Sequence, residues 1–131
     1  MDLQRDTEHT LLADSAERML SEKYDFSARH GSPADQGDDA AWADDMWRQF
    51  AELGWLALPF AEEDGGLGAG MVEISILTEA FGRNMVVEPY ITTVVLCGGL
   101  VAAIGTPEQR AETLPAIGEG ALRIAFMGGA A

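Results

Sequence analysis

Apolar residues recur every three or four positions along much of the chain, the spacing that places side chains on one face of an α-helix. The first such stretch begins at Asp6 or Thr7, either of which can cap a helix, and it fades at Tyr24. Residues 25–39 are rich in Gly, Ser, Pro and Asp without an apolar period, so they are predicted to form a loop. The predicted inner face of the first helix consists of Leu11, Leu12, Ala16, Met19 and Leu20.

A second helix is predicted to begin at Asp38 or Asp39 and to stop at Gly54, since glycine readily takes the left-handed conformation that ends helices. The short apolar run at residues 55–59 ends in proline and is expected to be an extended connector, and residues 62–70 a flexible polar loop. The predicted inner face of this helix consists of Trp42, Met46, Trp47, Phe50 and Leu53.

Three more helices follow. The first has an inner face of Val72, Ile76, Leu77, Ala80 and Phe81. Residues 90–104 are apolar on nearly all sides, so this helix is expected to be the central and most buried element. Thr106, Pro107 and Gln109 form a strong start signal for a short last helix, and residues 122–127 are long enough for one strand.

Five predicted helices joined by short loops and followed by one strand indicate an all-α fold, an antiparallel helical bundle or a set of orthogonal helices with one terminal strand. A lone strand leaves its main-chain donors and acceptors unpaired. We therefore expect residues 1–121 to form a helical domain and residues 122–131 to lie at the start of a sheet.

Composition narrows the function classes. The chain has 22 acidic and 8 basic residues and a formal net charge of −14, which disfavours nucleic-acid binding. Cys97 is the only cysteine, so no intrachain disulfide can form. The first residues lack the order of a signal peptide, and the apolar run within residues 90–104 is too short to span a membrane. A soluble, cytoplasmic protein is expected.

The residues alone indicate no catalytic centre. His9 and His30 have no cysteine or paired carboxylate at ligand spacing, so no metal site is predicted. Gly66, Gly68 and Gly70 follow three acidic residues that would repel a phosphate, which favours a turn with close backbone approach. Composition and periodicity therefore indicate only an acidic helical domain.

The order of short motifs resembles that of the acyl-CoA dehydrogenase family. Each motif alone is weak, but four in the same order cover nearly the whole chain. They are Leu53-Gly54-Trp55-Leu56-Ala57-Leu58-Pro59 with the acidic turn Glu62-Glu63-Asp64-Gly65-Gly66-Leu67-Gly68, then Glu79-Ala80-Phe81-Gly82-Arg83, then Gly105-Thr106-Pro107-Glu108-Gln109-Arg110, and finally Leu114-Pro115 with Gly118-Glu119-Gly120.

The resemblance implies the N-terminal helical domain of a larger enzyme, followed by a middle β domain that would begin at residues 122–131 and by a C-terminal helical domain. Such enzymes hold FAD and oxidise the Cα–Cβ bond of an acyl-CoA to an enoyl-CoA, usually as homo-oligomers. The glutamate base of the family lies outside this chain, so no catalytic residue is expected here, and Glu88 is not a candidate.

Two groups of site residues follow from the resemblance. One wall of the acyl-CoA channel is expected from Thr92 and Leu96, with Pro89 at the entry, although all three also suit ordinary core and capping roles. The cofactor segment is expected to contain Phe126, Met127 and Gly129. The family usually has Thr-Glu-Pro shortly after this aromatic position, whereas this chain has glycine and alanine. FAD binding by this chain alone is therefore expected to be weak or absent.

Three functions remain open from the sequence. The first is the N-terminal domain of an FAD-dependent acyl-CoA dehydrogenase. The second is a degenerate, non-flavin subunit of a hetero-oligomeric dehydrogenase, since some members of the family that this chain resembles pair a flavin-binding subunit with a degenerate partner. The third is a stand-alone helical interaction module without acyl-CoA chemistry.

Overall fold

The computed structural model describes residues 4–24 and 38–129, with side chains at all of these positions except 38–43. The regular secondary structure within these ranges is entirely helical, which confirms the predicted all-α class. The predicted loop at residues 25–39 lies outside the described residues up to position 37, and the side chains of the predicted caps Asp38 and Asp39 and of the inward Trp42 are likewise outside the description. The elements are α1 (Thr7–Lys23), α2 (Asp38–Glu52), 3₁₀ turns at Trp55–Ala57 and Glu62–Asp64, α3 (Met71–Arg83), a π-helical segment (Ile91–Gly98) that continues directly into α4 (Gly99–Ile104), and α5 (Pro107–Gly118).

The chain divides into two compact units. The first unit consists of residues 1–45 and 70–87, and the second of residues 46–69 and 88–131. In the first unit α1 packs against α3. Ala16 and Leu20 are buried on α1, as predicted, whereas Leu11 is 61% exposed. The buried residues of α3 are Ile74, Ile76, Leu77, Ala80 and Phe81.

Capping fixes where the two helices of the first unit begin. The Asp6 carboxylate accepts the His9 amide (2.9 Å), while the Asp6 amide donates to His9 Nδ1 (3.1 Å), so the predicted cap at Asp6 is confirmed. At α3, Glu73 reaches back and its Oε2 accepts the Gly70 amide at 2.9 Å. Because His9 Nδ1 acts as an acceptor, the ring proton is on Nε2, which donates to Glu73 Oε1 at 2.9 Å.

The core of the second unit is aromatic. Phe50 is fully buried at the end of α2, and its ring centroid lies 5.2 Å from that of Trp55. Gly54 ends α2 in the left-handed conformation (φ 78°), as predicted. The expected extended connector at residues 55–59 is wrong, because the chain closes a 3₁₀ turn in which the Leu58 amide donates to the Trp55 carbonyl (3.4 Å).

In the glycine-rich loop (residues 65–70), the backbone closely approaches a neighbouring segment, as predicted. A Cβ on Gly66 would lie 2.0 Å from the carbonyl oxygen of Phe60, so only glycine fits there. The Gly68 and Ala69 amides donate to the carbonyls of Phe60 and Leu58, at 2.8 and 2.9 Å. These bonds fold the loop back onto the 3₁₀ turn that precedes it.

The predicted burial of residues 90–104 is wrong for half of the helix. Its buried residues occupy one face of the π-helical segment, and α4 has no buried residue. Leu96 is 42% exposed and Ile104 is 81% exposed. A helix with one polar face shows in its sequence which face is buried. This stretch is apolar on both faces, so its sequence does not show that only one face is buried. No helix of the described ranges has the length and apolarity to cross a membrane.

Helix α5 begins as predicted, with Thr106 as its cap. The Thr106 hydroxyl accepts the Gln109 amide (3.2 Å) and Gln109 Oε1 accepts the Thr106 amide (2.9 Å). Leu114 and Ile117 are fully buried. The strand predicted at residues 122–127 is not formed. A strand requires a ladder of main-chain hydrogen bonds to a neighbour, and the described part of the chain offers no partner strand.

Candidate functional site

The exposed side of the π-helical segment carries the residues expected to form the channel wall. Pro89 is exposed at its start, Thr92 is half-buried and Leu96 is exposed. Hydrogen bonds in a π-helix run from residue i to i+5, so four residues span slightly less than one turn. Thr92 and Leu96 therefore lie on the same side, and Leu100, which is 39% exposed, extends this apolar stripe into α4.

The opposite side of the segment is fixed by buried contacts within the second unit. Thr93 and Val94 are fully buried, and Cys97 is nearly so. Just before the segment, the Tyr90 hydroxyl donates to the Trp55 carbonyl at 2.9 Å. Burial raises the Tyr90 pKa above its ordinary value of 10, so this hydroxyl remains a donor at any physiological pH. The stripe of Thr92, Leu96 and Leu100 is thus presented by a firmly held helix.

Gly98 allows the closest contact of the segment. A Cβ at this position would lie 2.5 Å from Cζ of the Phe60 ring, whereas a Cβ on Gly99 would meet nothing within 4 Å. Phe60 itself is buried, and it also packs against the Gly66 backbone. Gly98 and Gly99 are adjacent in the same apolar helix, so the sequence does not distinguish the packed glycine from the exposed one.

The segment expected to contact the cofactor lies at the end of the described chain. Phe126 is 57% exposed, Met127 is 98% exposed and Gly129 is exposed. Within the described part of the chain, the main-chain N–H and C=O groups of residues 125–129 form no hydrogen bond. All five residues are exposed, so their main-chain donors are accessible to a ligand.

Thr93 connects the two groups of expected site residues, although no pattern in the sequence singles it out. Its hydroxyl donates to the Ile124 carbonyl (3.0 Å) and accepts the Ile124 amide (3.3 Å). One turn of helix thus carries Thr92 on the exposed side and Thr93 on the side that holds the chain leading to Phe126. A threonine in an apolar helix gives no signal of such a contact, because its partner lies 31 residues away.

Two motifs of the sequence meet through an ion pair. Arg110, from the motif at the start of α5, donates to Asp64 of the acidic turn at 2.9 Å and to Glu63 at 3.4 Å. The hydrogen bond to Asp64 is the main reason that the Arg110 pKa is raised. The pair neutralises the one buried carboxylate of this turn, so the motifs have a structural role in joining α5 to the glycine-rich loop.

The described residues lack the arrangement of ligands that a metal site requires. They contain no group of three His, Cys, Asp or Glu residues arranged to hold a metal ion. His9 serves the capping network of the first unit, while His30 lies outside the described residues. Cys97 is buried on the inner side of the π-helical segment.

Comparison with known proteins identifies the domain type. The family model of the acyl-CoA dehydrogenase N-terminal domain matches residues 6–121. Over 88 residues the chain is 36% identical to acyl-CoA dehydrogenase FadE12 of Mycobacterium tuberculosis. The matched region covers 63% of this chain and 21% of that protein. Over 74 residues it is 34% identical to the mitochondrial isobutyryl-CoA dehydrogenase of Dictyostelium discoideum, covering 56% of this chain and 18% of that protein.

A solved structure shares the fold. The chain superposes on a chain of the ChsE4-ChsE5 complex of Mycobacterium tuberculosis with a TM-score of 0.76 and 22% identity, covering 94% of this chain and 30% of that one. At this identity the likeness concerns the fold alone. The chain spans about a fifth of the length of the curated relatives that it matches.

Proposed function

Because the chain belongs to the acyl-CoA dehydrogenase family as its N-terminal domain, we propose that the whole protein is an FAD-dependent acyl-CoA dehydrogenase. In this proposal the enzyme oxidises the Cα–Cβ bond of an acyl-CoA to an enoyl-CoA. The 131 residues supply one wall of the acyl channel, and residues 122–131 begin the middle β domain. We also place the enzyme in the cytoplasm, as a homo-oligomer.

One observation carries the assignment of the wall. Thr92, Leu96 and Leu100 form a mainly apolar stripe that is half-buried at Thr92 and exposed at both leucines, and the other side of the π-helical segment is packed. Apolar surface left in water costs about 25 cal/mol per Å², so a stripe of this kind favours an apolar partner. An acyl chain offers such a surface. Leu96 would contact it along its length, and the Thr92 hydroxyl would provide the only polar group of the stripe.

The residues of this chain contribute binding and orientation to the reaction. The flavin, when bound, supplies the acceptor for the hydride that leaves the β carbon. The apolar wall would exclude water from the reacting carbons and hold the acyl chain in one direction, which lowers the entropy lost in reaching the transition state. We propose no catalytic base within this chain, and we expect the base from another part of the protein.

The residues at the end of the chain fit a flavin through their main chain. The exposed amides of Met127 and Gly129 have no partner in the described structure and can donate hydrogen bonds. The exposed Phe126 ring offers an apolar surface of the kind that an isoalloxazine ring can cover. Gly129 has no hydroxyl to add, so the side-chain contribution to the cofactor is small at this position.

The channel wall is tested by adding volume to it in the full-length protein. Leu96→Trp should raise KM for long acyl-CoA substrates by about tenfold and shift the preference toward shorter chains, because the indole would fill part of the channel. The thermal midpoint should stay the same, since Leu96 is 42% exposed. Leu11→Trp is the matched control, because Leu11 is also exposed but belongs to the first unit.

An unchanged KM and an unchanged chain-length preference in the Leu96→Trp enzyme would contradict the assignment of the wall. A lower thermal midpoint in this variant would show instead that Leu96 is a packing residue, and the assignment would fail on that ground as well. The Leu11→Trp enzyme should match the wild type in both measurements.

A second candidate is a degenerate subunit that pairs with a flavin-bearing dehydrogenase, and the glycine at position 129 is compatible with it. The similar fold found in a complex of two different named subunits is compatible with this role. Titration of the full-length protein with FAD separates the two candidates. Micromolar binding supports the dehydrogenase, whereas the absence of binding supports the degenerate subunit.

A further inference from the structure

The end of the described chain is held by an arrangement that imitates strand pairing. In an antiparallel pair, two opposite residues exchange both of their main-chain hydrogen bonds. Here a single side chain, Thr93, satisfies both groups of Ile124, because its hydroxyl donates to the carbonyl at 3.0 Å and accepts the amide at 3.3 Å. Thr93 is fully buried and Ile124 is half-buried, so the Thr93 hydroxyl is shielded from water on its own side of these bonds.

A neighbouring contact adds to this attachment. The guanidinium carbon of Arg123 lies 6.0 Å from the centroid of the Trp47 ring, within the range of a cation–π interaction. Arg123 and Ile124 are adjacent, so the chain is held at two successive residues. From residue 125 onward the main chain forms no hydrogen bond within the described part of the chain. Ile124 is therefore the last fixed point before Phe126.

We propose that Thr93 is a positioning residue that sets where the cofactor segment, residues 125–129, leaves the helical domain. The proposal rests on the function proposed above for Phe126, Met127 and Gly129. Because Thr93 follows Thr92 directly, one turn of the π-helical segment would fix both the channel wall and the cofactor segment. The positions of the acyl chain and of the flavin would then both depend on this one turn of helix.

The energetic reason lies in the cost of ordering a chain end. An unanchored segment must lose its conformational freedom when a ligand binds, and this cost reduces the observed affinity. Residues 128 and 129 are both glycines, which lose more backbone freedom on ordering than any other residue. An anchor at Ile124 shortens the free part of the chain and so reduces this cost.

The anchor is tested first in the 131-residue chain by amide hydrogen exchange. Thr93→Val keeps the shape but removes the hydroxyl, Thr93→Ala removes it without a bulky replacement, and Thr93→Ser retains it. The exchange rate of the Ile124 amide, relative to that of the buried Leu114 amide in the same sample, should rise about tenfold in the Val and Ala variants. It should remain near the wild-type value in Thr93→Ser.

Thr78→Val is the matched control, because the Thr78 hydroxyl also donates to a carbonyl, that of Ile74 at 2.9 Å, but lies in the first unit. This variant should leave Ile124 exchange unchanged. The anchor would be overturned if the Ile124 amide exchanged at the wild-type rate in either the Val or the Ala variant. It would also be overturned if this amide exchanged rapidly in Thr93→Ser. The ratio to Leu114 removes the effect of global unfolding, so a less stable variant still gives a decision.

The positioning role is tested in the full-length protein by FAD titration. Thr93→Val should weaken FAD binding by about tenfold, and Thr93→Ser should bind like the wild type. Equal affinity in all three, combined with faster Ile124 exchange in Thr93→Val, would overturn the positioning role while leaving the anchor intact. If the wild type itself binds no FAD, the proposed cofactor function fails, and the exchange measurement still reports on the anchor separately.

Discussion

The two units of the chain are built from different interactions. The first unit joins α1 to α3 with polar contacts at the surface as well as an apolar seam. Arg5 pairs with Glu79 at 2.6 Å and Arg83 pairs with Glu17 at 2.9 Å, all with exposed or half-exposed side chains. These pairs hold the helices through groups that water and salt can reach, so each contributes little to stability.

The second unit depends on close packing and buried hydrogen bonds. Phe60 meets two glycines at distances where a Cβ would collide, and the Tyr90 hydroxyl donates to a buried carbonyl. Close-packed interiors respond to the addition of a single carbon atom, whereas exposed ion pairs tolerate the loss of a partner. We therefore expect the second unit, which carries the candidate site, to tolerate substitutions less well than the first.

The largest effect should separate the two sides of the π-helical segment. Val94→Asp places a charge at a fully buried position and should cost about 3–5 kcal/mol, a large part of the stability of a small domain. Leu96→Asp, two residues later, should cost about 1 kcal/mol, because Leu96 is 42% exposed and only part of its apolar surface is buried. Thermal or urea unfolding followed by circular dichroism measures both. Similar losses in the two variants would contradict the one-sided burial of this helix.

A smaller effect should separate two adjacent glycines of the same helix. Gly98→Ala introduces a Cβ at 2.5 Å from Phe60 Cζ and should destabilise the second unit by about 1–3 kcal/mol. Gly99→Ala meets nothing within 4 Å and should stabilise the helix by up to about 1 kcal/mol, because alanine is the better helix former. Urea unfolding of both variants gives the sign directly. Two shifts of the same sign would show that Phe60 does not pack against Gly98.

Local interactions explain what could be predicted from the sequence. The caps at Asp6 and Thr106 and the left-handed stop at Gly54 each depend on residues within four positions, and all three are confirmed. The acidic turn and the start of α5 were also recognised as motifs. Their meeting through Arg110 and Asp64 could not be foreseen, because 46 residues separate them.

The errors have a common physical cause. Residues 90–104 have no polar face, so the sequence could not indicate that Leu96 and Ile104 are exposed. The expected strand at residues 122–127 needs a partner that the described chain lacks. Thr93 received no role because its only unusual feature is a contact with Ile124. In each case the outcome depends on what lies beside the residue in space, which periodicity does not report.

The smallest predicted effect is the contribution of the hydrogen bond between His9 and Glu73 to the free energy of unfolding, and it changes only at acidic pH. The hydrogen bond from His9 is the main cause that lowers the pKa of Glu73 below its ordinary value of 4.5, and the Gly70 amide adds to it. The folded chain therefore keeps Glu73 ionised at pH values where the unfolded chain binds a proton. The resulting stabilisation is complete above pH 4.5 and is lost as the pH falls through the lowered pKa.

Glu73→Gln removes this dependence. The difference in unfolding free energy between the wild type and this variant should be constant from pH 6 down to about pH 5 and should shrink below pH 4.5. Glu112→Gln makes the same change of charge at an exposed position of α5 and is the matched control. Urea unfolding at half-unit steps between pH 6 and pH 3 measures all three proteins. A wild-type-to-variant difference that stays constant down to pH 3 would mean that the His9–Glu73 hydrogen bond does not hold in solution, and α1 and α3 would then be joined by the apolar seam and the exposed ion pairs.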